Sequence, residues 1–168
     1  FTHYNEIADF AAPPAIDRGI AFVPALAGLG CPHWNRRARG GWLGLSLSDG
    51  KADMMQALLE GIALRSAEVI AAMAALMPFQ GAISVGGGLS RNGYFTRFLS
   101  QVTPHDLFLP AETEQTALGL AQMAAKAAGL AVPTPREGYL QPAKADAAAA
   151  RLARFAAARA AIEGFARA

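Results

Sequence analysis

The stretch Ala82–Phe98, AISVGGGLSRNGYFTRF, constrains the fold of this chain more than any other. A short β-branched run, Ile83–Val85, meets three consecutive glycines, Gly86–Gly88, and an amphipathic helical pattern begins near Ser90 or Arg91. Consecutive glycines let the backbone turn sharply and approach a ligand with no Cβ in the way. A helix start adds N–H groups that favour an anion or another acceptor. The same residues also read as a tight strand-to-helix connection with no ligand. Either way a strand must run into a helix, and the order repeats downstream. Leu107–Leu109 is a second short strand, and Glu114–Ala128 is a helix with Thr113 as its N-cap and Gly129 as its C-cap. Short apolar strands alternating with longer helical periods predict parallel strands joined by helical crossovers, with Ile83–Val85 and Leu107–Leu109 as neighbours.

The flanking segments fit around this unit. Tyr4–Phe10 reads as a short helix end closed off by Pro13 and Pro14, and Ile20–Val23 as a short strand. Residues 25–41 form a loop rich in Gly, Pro and Arg, and Trp42–Leu47 adds an extended segment. Trp34 is expected to be an apolar lid over the core edge rather than a stacking surface for a ligand. Arg36, Arg37 and Arg39 read as a solvated face. Ala52–Met77 is the strongest helix, with Met55, Leu59, Ile62, Val69, Met73 and Met77 as its apolar stripe. Asp53, Gln56, Glu60 and Glu68 are expected away from that stripe, and Pro78 and Gly81 stop the helix. Tyr94, Phe95, Phe98, Leu99 and Val102 share one side of the next helix, which Pro104 ends. Pro133 and Pro135 mark a turn, and Ala145–Arg167 is a final alanine-rich helix anchored by Leu152, Phe155, Ile162 and Phe165.

Composition narrows the function classes. A chain of 168 residues, 53% hydrophobic, can bury one substantial core. The formal net charge is only +2 and the basic residues are not gathered into one block, so nothing prompts a nucleic-acid surface. Cys31 is the single cysteine, which leaves no intrachain disulfide. The N-terminus has no signal-peptide pattern, and the alanine-rich helices carry too much charge to span a membrane. His3, His33 and His105 lack metal-site spacing. Cys31 and His33 stand two apart in a loop without a third group to orient them, so no nucleophilic site is assigned.

Four ordered blocks carry a family resemblance. VGGGLSRNGYFTRFLSQV followed by ETEQTALGLAQMAA resembles the nucleotide-binding half of the FGGY carbohydrate kinases. Upstream, FVPALAGLGCPHWNRRARGGWLGLSLS and ALLEGIALRS resemble the same family in the same order. The GLG-x-P-x-W form with its following ARG is closest in motif to the glycerol kinase branch, and the likeness runs from about Ile20 to Gly129. It implies an α/β fold, the RNase H-like, actin-type ATPase C-terminal domain, partial, with residues 1–168 as most of the second domain and the N-terminal domain absent.

The resemblance also implies ATP and Mg²⁺ as cofactors, a sugar or polyol hydroxyl as phosphoryl acceptor, and a cytoplasmic enzyme with homo-oligomerisation left open. Gly86, Gly87 and Gly88 would approach the nucleotide and Asn92 would lie beside the adenosine, unless Asn92 is a first-turn helix cap. Gly86 stands where glycerol kinases more commonly carry Asp. Thr116–Gly119 match the family's TALG, with Gly119 expected first to pack closely against a neighbouring helix and second to contact the nucleotide. Glu60, in the LEG-I-A block, reads as a surface or helix-pairing residue at least as readily as a catalytic one. The family's catalytic aspartate and phosphate-clamping loops precede Phe1, so no catalytic residue is assigned and this chain alone is expected to be inactive. Two other readings stay open: a non-catalytic nucleotide-binding or partner-binding module, and an actin-like ATPase acting on a protein partner.

Overall fold

The computed structural model describes residues 4–7, 9–112, 114–131 and 137–166. Thr113, Pro133 and Pro135 lie outside the described residues. The chain opens with a 3₁₀ turn at Tyr4–Ile7 and an antiparallel pair, β1 (Ala21–Val23) and β2 (Gly41–Leu43), with Ala21 opposite Leu43. The long helix α1 (Lys51–Leu76) leads to a second sheet of three strands, β3 (Ile83–Ser84), β4 (Leu107–Pro110) and β5 (Gly138–Gln141), in that spatial order. Helices α2 (Gly93–Ser100) and α3 (Gln115–Ala127) follow β3 and β4, and α4 (Ala148–Phe165) closes the chain.

The expected neighbours form: β3 and β4 are parallel, with Ile83 opposite Leu107 and α2 as the crossover between them. Beyond that pair the strands are antiparallel: β5 joins the far edge of β4 antiparallel, and β1–β2 forms a separate antiparallel sheet. Gly138, Tyr139, Leu140 and Gln141 have neither β-branching nor clean alternation, so no local pattern marked them as a strand. β4 supplies an open edge, and backbone pairing does the rest.

The interior runs through Leu59, Leu64, Phe98, Leu99, Val102, Leu107 and Phe155, all nearly free of solvent. Each contributes about 1.5–3 kcal/mol by leaving water. Phe155 holds α4 to this core with help from Leu152 and Ile162, whereas the expected fourth anchor, Phe165, points to solvent. Arg151 adds a polar tie: its guanidinium lies 2.7 Å from Asp17, donates to Gln101 and sits over the Phe98 ring.

The stripe assigned to α1 holds at Leu59, which is buried, and Ile62, which packs on the core, and is corrected at Met73 and Met77. The buried residues are Gln56, Ala57, Leu59, Glu60, Gly61, Ala63, Leu64 and Ala67, while Met73 and Met77 are exposed. Small residues at helical spacing let β1 and α2 come close, and that approach outweighs the larger apolar area of the methionines. Pro78 and Gly81 do follow the end of the helix, as expected. At the end of α3 the C-terminal turn is closed by Gly129 at φ +71, with Leu130 N donating to Ala125 O. A Cβ added at Gly119 would meet nothing within 4 Å, so close packing against a neighbouring helix is not what this glycine provides here. Trp34 is 75% exposed and takes φ +50, so it is not a lid over the core. Arg36, Arg37 and Arg39 are exposed, and Arg39 donates to the carbonyls of its own loop.

Candidate functional site

The end of β3 and the start of α3 meet around an open cavity of about 450 Å³, lined by Ser84, Gly86, Gly87, Gly88, Glu114, Gln115 and Thr116. That volume lies within the range of small-molecule sites. Parallel pairing of β3 with β4 makes the site, because it brings the segments that follow both strands to one end of the sheet. After Val85, whose N–H donates to Phe108 O, the backbone turns at Gly87 with φ +89 and enters a 3₁₀ turn at Gly88–Arg91. The positive φ makes Gly87 the residue of the three that the turn itself requires. Ser90 closes the turn, its hydroxyl donating to Gly87 O at 2.7 Å.

The three glycines therefore come together on the cavity, but each for its own reason. A Cβ on Gly86 would stand 2.6 Å from Gln115 Cγ, so this glycine makes room for a side chain of α3. A Cβ on Gly87 or Gly88 would meet nothing within 4 Å. Those two present bare backbone to open space.

Asn92 does not line the cavity. It is 0% exposed, its Oδ1 accepts from Phe95 N at 2.8 Å, and its Nδ2 donates to Ile7 O at 2.7 Å. This is the N-cap alternative, with both amide functions used inside the chain. The cap takes one of the N–H groups at the start of α2, that of Phe95, while Thr96 N makes the first intrahelical bond to Asn92 O.

The cavity is polar without being cationic. Glu114 brings a carboxylate, Ser84 and Thr116 bring hydroxyls, Gln115 an amide, and among the described residues no lysine or arginine lines it. Such a lining suits the hydroxyl and amine groups of a neutral moiety, and among the described residues it brings no cation to a phosphate.

One polar cluster escaped the sequence reading. Glu60 is 1% exposed, its carboxylate accepts from Ala15 N and Ile16 N at 2.8 Å each, and it accepts the Tyr94 hydroxyl. Gln56 Nε2 in turn donates to Tyr94 Oη at 2.7 Å. Burial pushes the Glu60 carboxyl above the ordinary carboxylate range despite these donors, and the Tyr94 hydroxyl is also pushed up, by burial and by the Glu60 charge. The cluster ties α1 to α2 and to the residues before β1, and so steadies the helix that follows the glycine turn. The small residues Ala57, Gly61, Ala63 and Ala67 were the signal that could have found it, since they mark the tightly packed side of α1. His33 does not pair with Cys31 in a nucleophilic arrangement; its Nε2 meets Glu68 at 3.1 Å, and Glu68 also takes Arg65 and Arg159.

Residues 4–128 match the sequence profile described as the FGGY family of carbohydrate kinases, C-terminal domain. The chain is 41% identical over 125 residues to a glycerol kinase of Burkholderia multivorans, covering 74% of this chain and 25% of that protein. It is 40% identical over 126 residues to a glycerol kinase of Burkholderia pseudomallei, with the same coverage of 74% and 25%. In fold it is similar to Plasmodium falciparum glycerol kinase, solved with ADP, at TM-score 0.73 and 23% identity, covering 97% of this chain and 34% of that one. A xylulose kinase from Rhodospirillum rubrum superposes at TM-score 0.75 and 24% identity, over 98% of this chain and 34% of that one. The chain thus spans about a quarter of the length of the relatives it matches in sequence.

Proposed function

The chain belongs to the FGGY family of carbohydrate kinases, and from that premise we propose that it is the nucleotide-binding part of a larger kinase, holding the nucleoside end of ATP in the cavity between Gly86–Gly88 and α3. The complete enzyme would pass the γ-phosphoryl group of ATP to a hydroxyl of a sugar or polyol, glycerol-like acceptors included, in the cytoplasm. One observation carries the reading: a polar cavity lies where bare glycine backbone faces the first residues of α3. Within it, Gly87 and Gly88 admit a ring or ribose against the main chain, and the Ser84, Glu114, Gln115 and Thr116 side chains offer hydrogen bonds to it. Asn92 acts through its cap, fixing the direction in which α2 leaves the turn.

The residues present do not fit the rest of the cofactor. Phosphates need clustered donors or cations, and Mg²⁺ is usually held by one or two carboxylates together with those phosphates. Among the described residues Glu114 is the single carboxylate on the lining, so no step through the metal is derived from this chain. No described helix is long and apolar enough to cross a membrane.

Two results are expected. In ligand-observed NMR titrations, the chain binds adenosine weakly and ATP no more tightly, because the described lining brings no cation to the phosphates and its Glu114 carboxylate repels them. Incubated with MgATP and a panel of polyols, it forms no phosphorylated product. Stoichiometric ADP with a phosphorylated polyol, from protein free of contaminating kinase, would overturn this division of labour.

Gly88→Val is the second test. A side chain there enters open space and Gly88 has no positive φ, so the fold should be kept. The branched side chain would instead occupy ligand volume. Adenosine affinity should fall by about ten- to a hundredfold, the scale of a 1–3 kcal/mol steric insult. Unchanged affinity in a variant with wild-type circular dichroism would remove Gly88 from the site and leave the glycines as a turn.

A further inference from the structure

Among the described residues β3 pairs with β4 alone, which leaves its other side as an edge of the sheet. The N–H groups of Ile83 and Val85 donate to Asp106 O and Phe108 O. The N–H and C=O of Ser84 therefore point the opposite way, out of the sheet. Ala82, Ser84 and Gly86 are all exposed along this edge. Edges left to water are ordinarily blunted by charged side chains, prolines or bulges. Here no charged side chain occurs from Val69 to Ser90.

An apolar stripe runs beside the edge. Ser66 and Ile70 of α1 share a cavity of about 360 Å³ with Ser84, Val85, Phe95 and Leu99. Met73 follows Ile70 by three residues and continues that face toward the end of the helix. It is 48% exposed, and Leu76 and Met77 just beyond it are more exposed still.

We propose that a second copy of this chain covers this face, the two β3 edges pairing antiparallel about a two-fold axis at Ser84. On that axis Ser84 meets its own copy and exchanges both backbone hydrogen bonds, while Ala82 of one chain stands opposite Gly86 of the other. The axis is perpendicular to the sheet, so both α1 helices lie on the same face and their Ile70–Met73 stripes turn toward each other. Charge selects the occupant: two uncharged faces meet without repulsion, whereas a charged partner would lose its hydration here and gain no counter-ion. The contact is isologous and closes at two chains. It does not depend on the nucleotide reading.

Sedimentation equilibrium of the 168-residue chain is the test. A species of twice the 17.5 kDa of one chain should form with a dissociation constant of about 10 µM, the scale of a small interface. Hydrogen exchange at the Ser84 amide should slow as concentration rises through that value. Met73→Lys sets two cations against each other across the axis, in a last helical turn that itself favours a cation, and should weaken the dimer about tenfold or more. Ser84→Pro deletes the outward N–H, keeps the Ile83 and Val85 bonds to β4, and should do the same; Met73→Lys carries the test if this variant fails to fold. Leu120→Lys, at an exposed apolar position of α3, should leave the dimer unchanged. Circular dichroism establishes that each variant is folded. Association that grows past two chains, a folded Met73→Lys or Ser84→Pro protein that dimerises like wild type, or a Leu120→Lys protein that does not dimerise would overturn the proposal. A wild-type chain still monomeric at about 100 µM, ten times the expected constant, would overturn it too and leave the edge to a strand of another polypeptide.

Discussion

Glu60→Ala is expected to destabilise the chain by about 3 kcal/mol at neutral pH, measured by urea denaturation followed by circular dichroism. The substitution strands the N–H groups of Ala15 and Ile16 and the Tyr94 hydroxyl inside the protein. An unsatisfied buried polar group costs about 1–3 kcal/mol, and relief of the carboxylate's own burial offsets part of the total. A loss below about 1 kcal/mol would mean that water replaces the carboxylate and that the cluster is not a structural tie. Comparing Glu60→Gln with wild type across pH isolates the charge. Burial raises the folded-state pKa of Glu60, against the Tyr94, Ile16 and Ala15 donors, and the Asp17 charge adds to the rise. The folded chain therefore holds this proton at pH values where the unfolded chain has released it. The stabilisation from that preference is complete below the unfolded value of about 4.3 and is lost as pH rises through the folded value. Wild type should lose stability relative to Glu60→Gln over that window and then run parallel to it; a relative gain with rising pH would contradict the assignment.

Gly61→Ala should lower stability by about 3 kcal/mol or more, although alanine is the better helix former by about 1 kcal/mol. Gly61 lies in α1 where the helix crosses β1, and a Cβ there would stand 2.1 Å from the carbonyl oxygen of Phe22. The obstacle is backbone, so the whole helix must back away and loosen the cluster of Ala15, Ile20, Phe22 and Ala57 beside it. For a domain of this size the loss corresponds to roughly 6–12 °C in the melting temperature. Gly119→Ala, on open α3, serves as the internal control and should be neutral or slightly stabilising. A Gly61→Ala protein as stable as wild type would show that the helix–strand approach is not tight.

The two substitutions sit side by side in one helix, yet the sequence reading addressed only half of what they depend on. Gly61 and its small neighbours were visible as residues, but the methionines drew the apolar stripe to the other side. A helical period reports where apolar side chains fall, not how near a neighbouring strand can come. Asn92 shows the same limit from the ligand side. An asparagine just after a glycine turn reads equally as a cap or a ligand contact, and the choice turned on Ile7, 85 positions away in sequence.

From the sequence by itself came the strand–glycine–helix order, the parallel pairing of β3 with β4, the glycine that ends α3, the exposed arginines of the loop and the family. All of these rest on residues close together along the chain, or on whole motifs in a fixed order. Only the tertiary structure decided that Gln56 and Glu60 are interior, that Gly86 is glycine for Gln115, that Asn92 is a cap, and that β5 joins the sheet antiparallel. Those outcomes are set by partners brought together from distant parts of the chain, where the spacing between two backbones, rather than the hydrophobicity of either, determines which side chains fit.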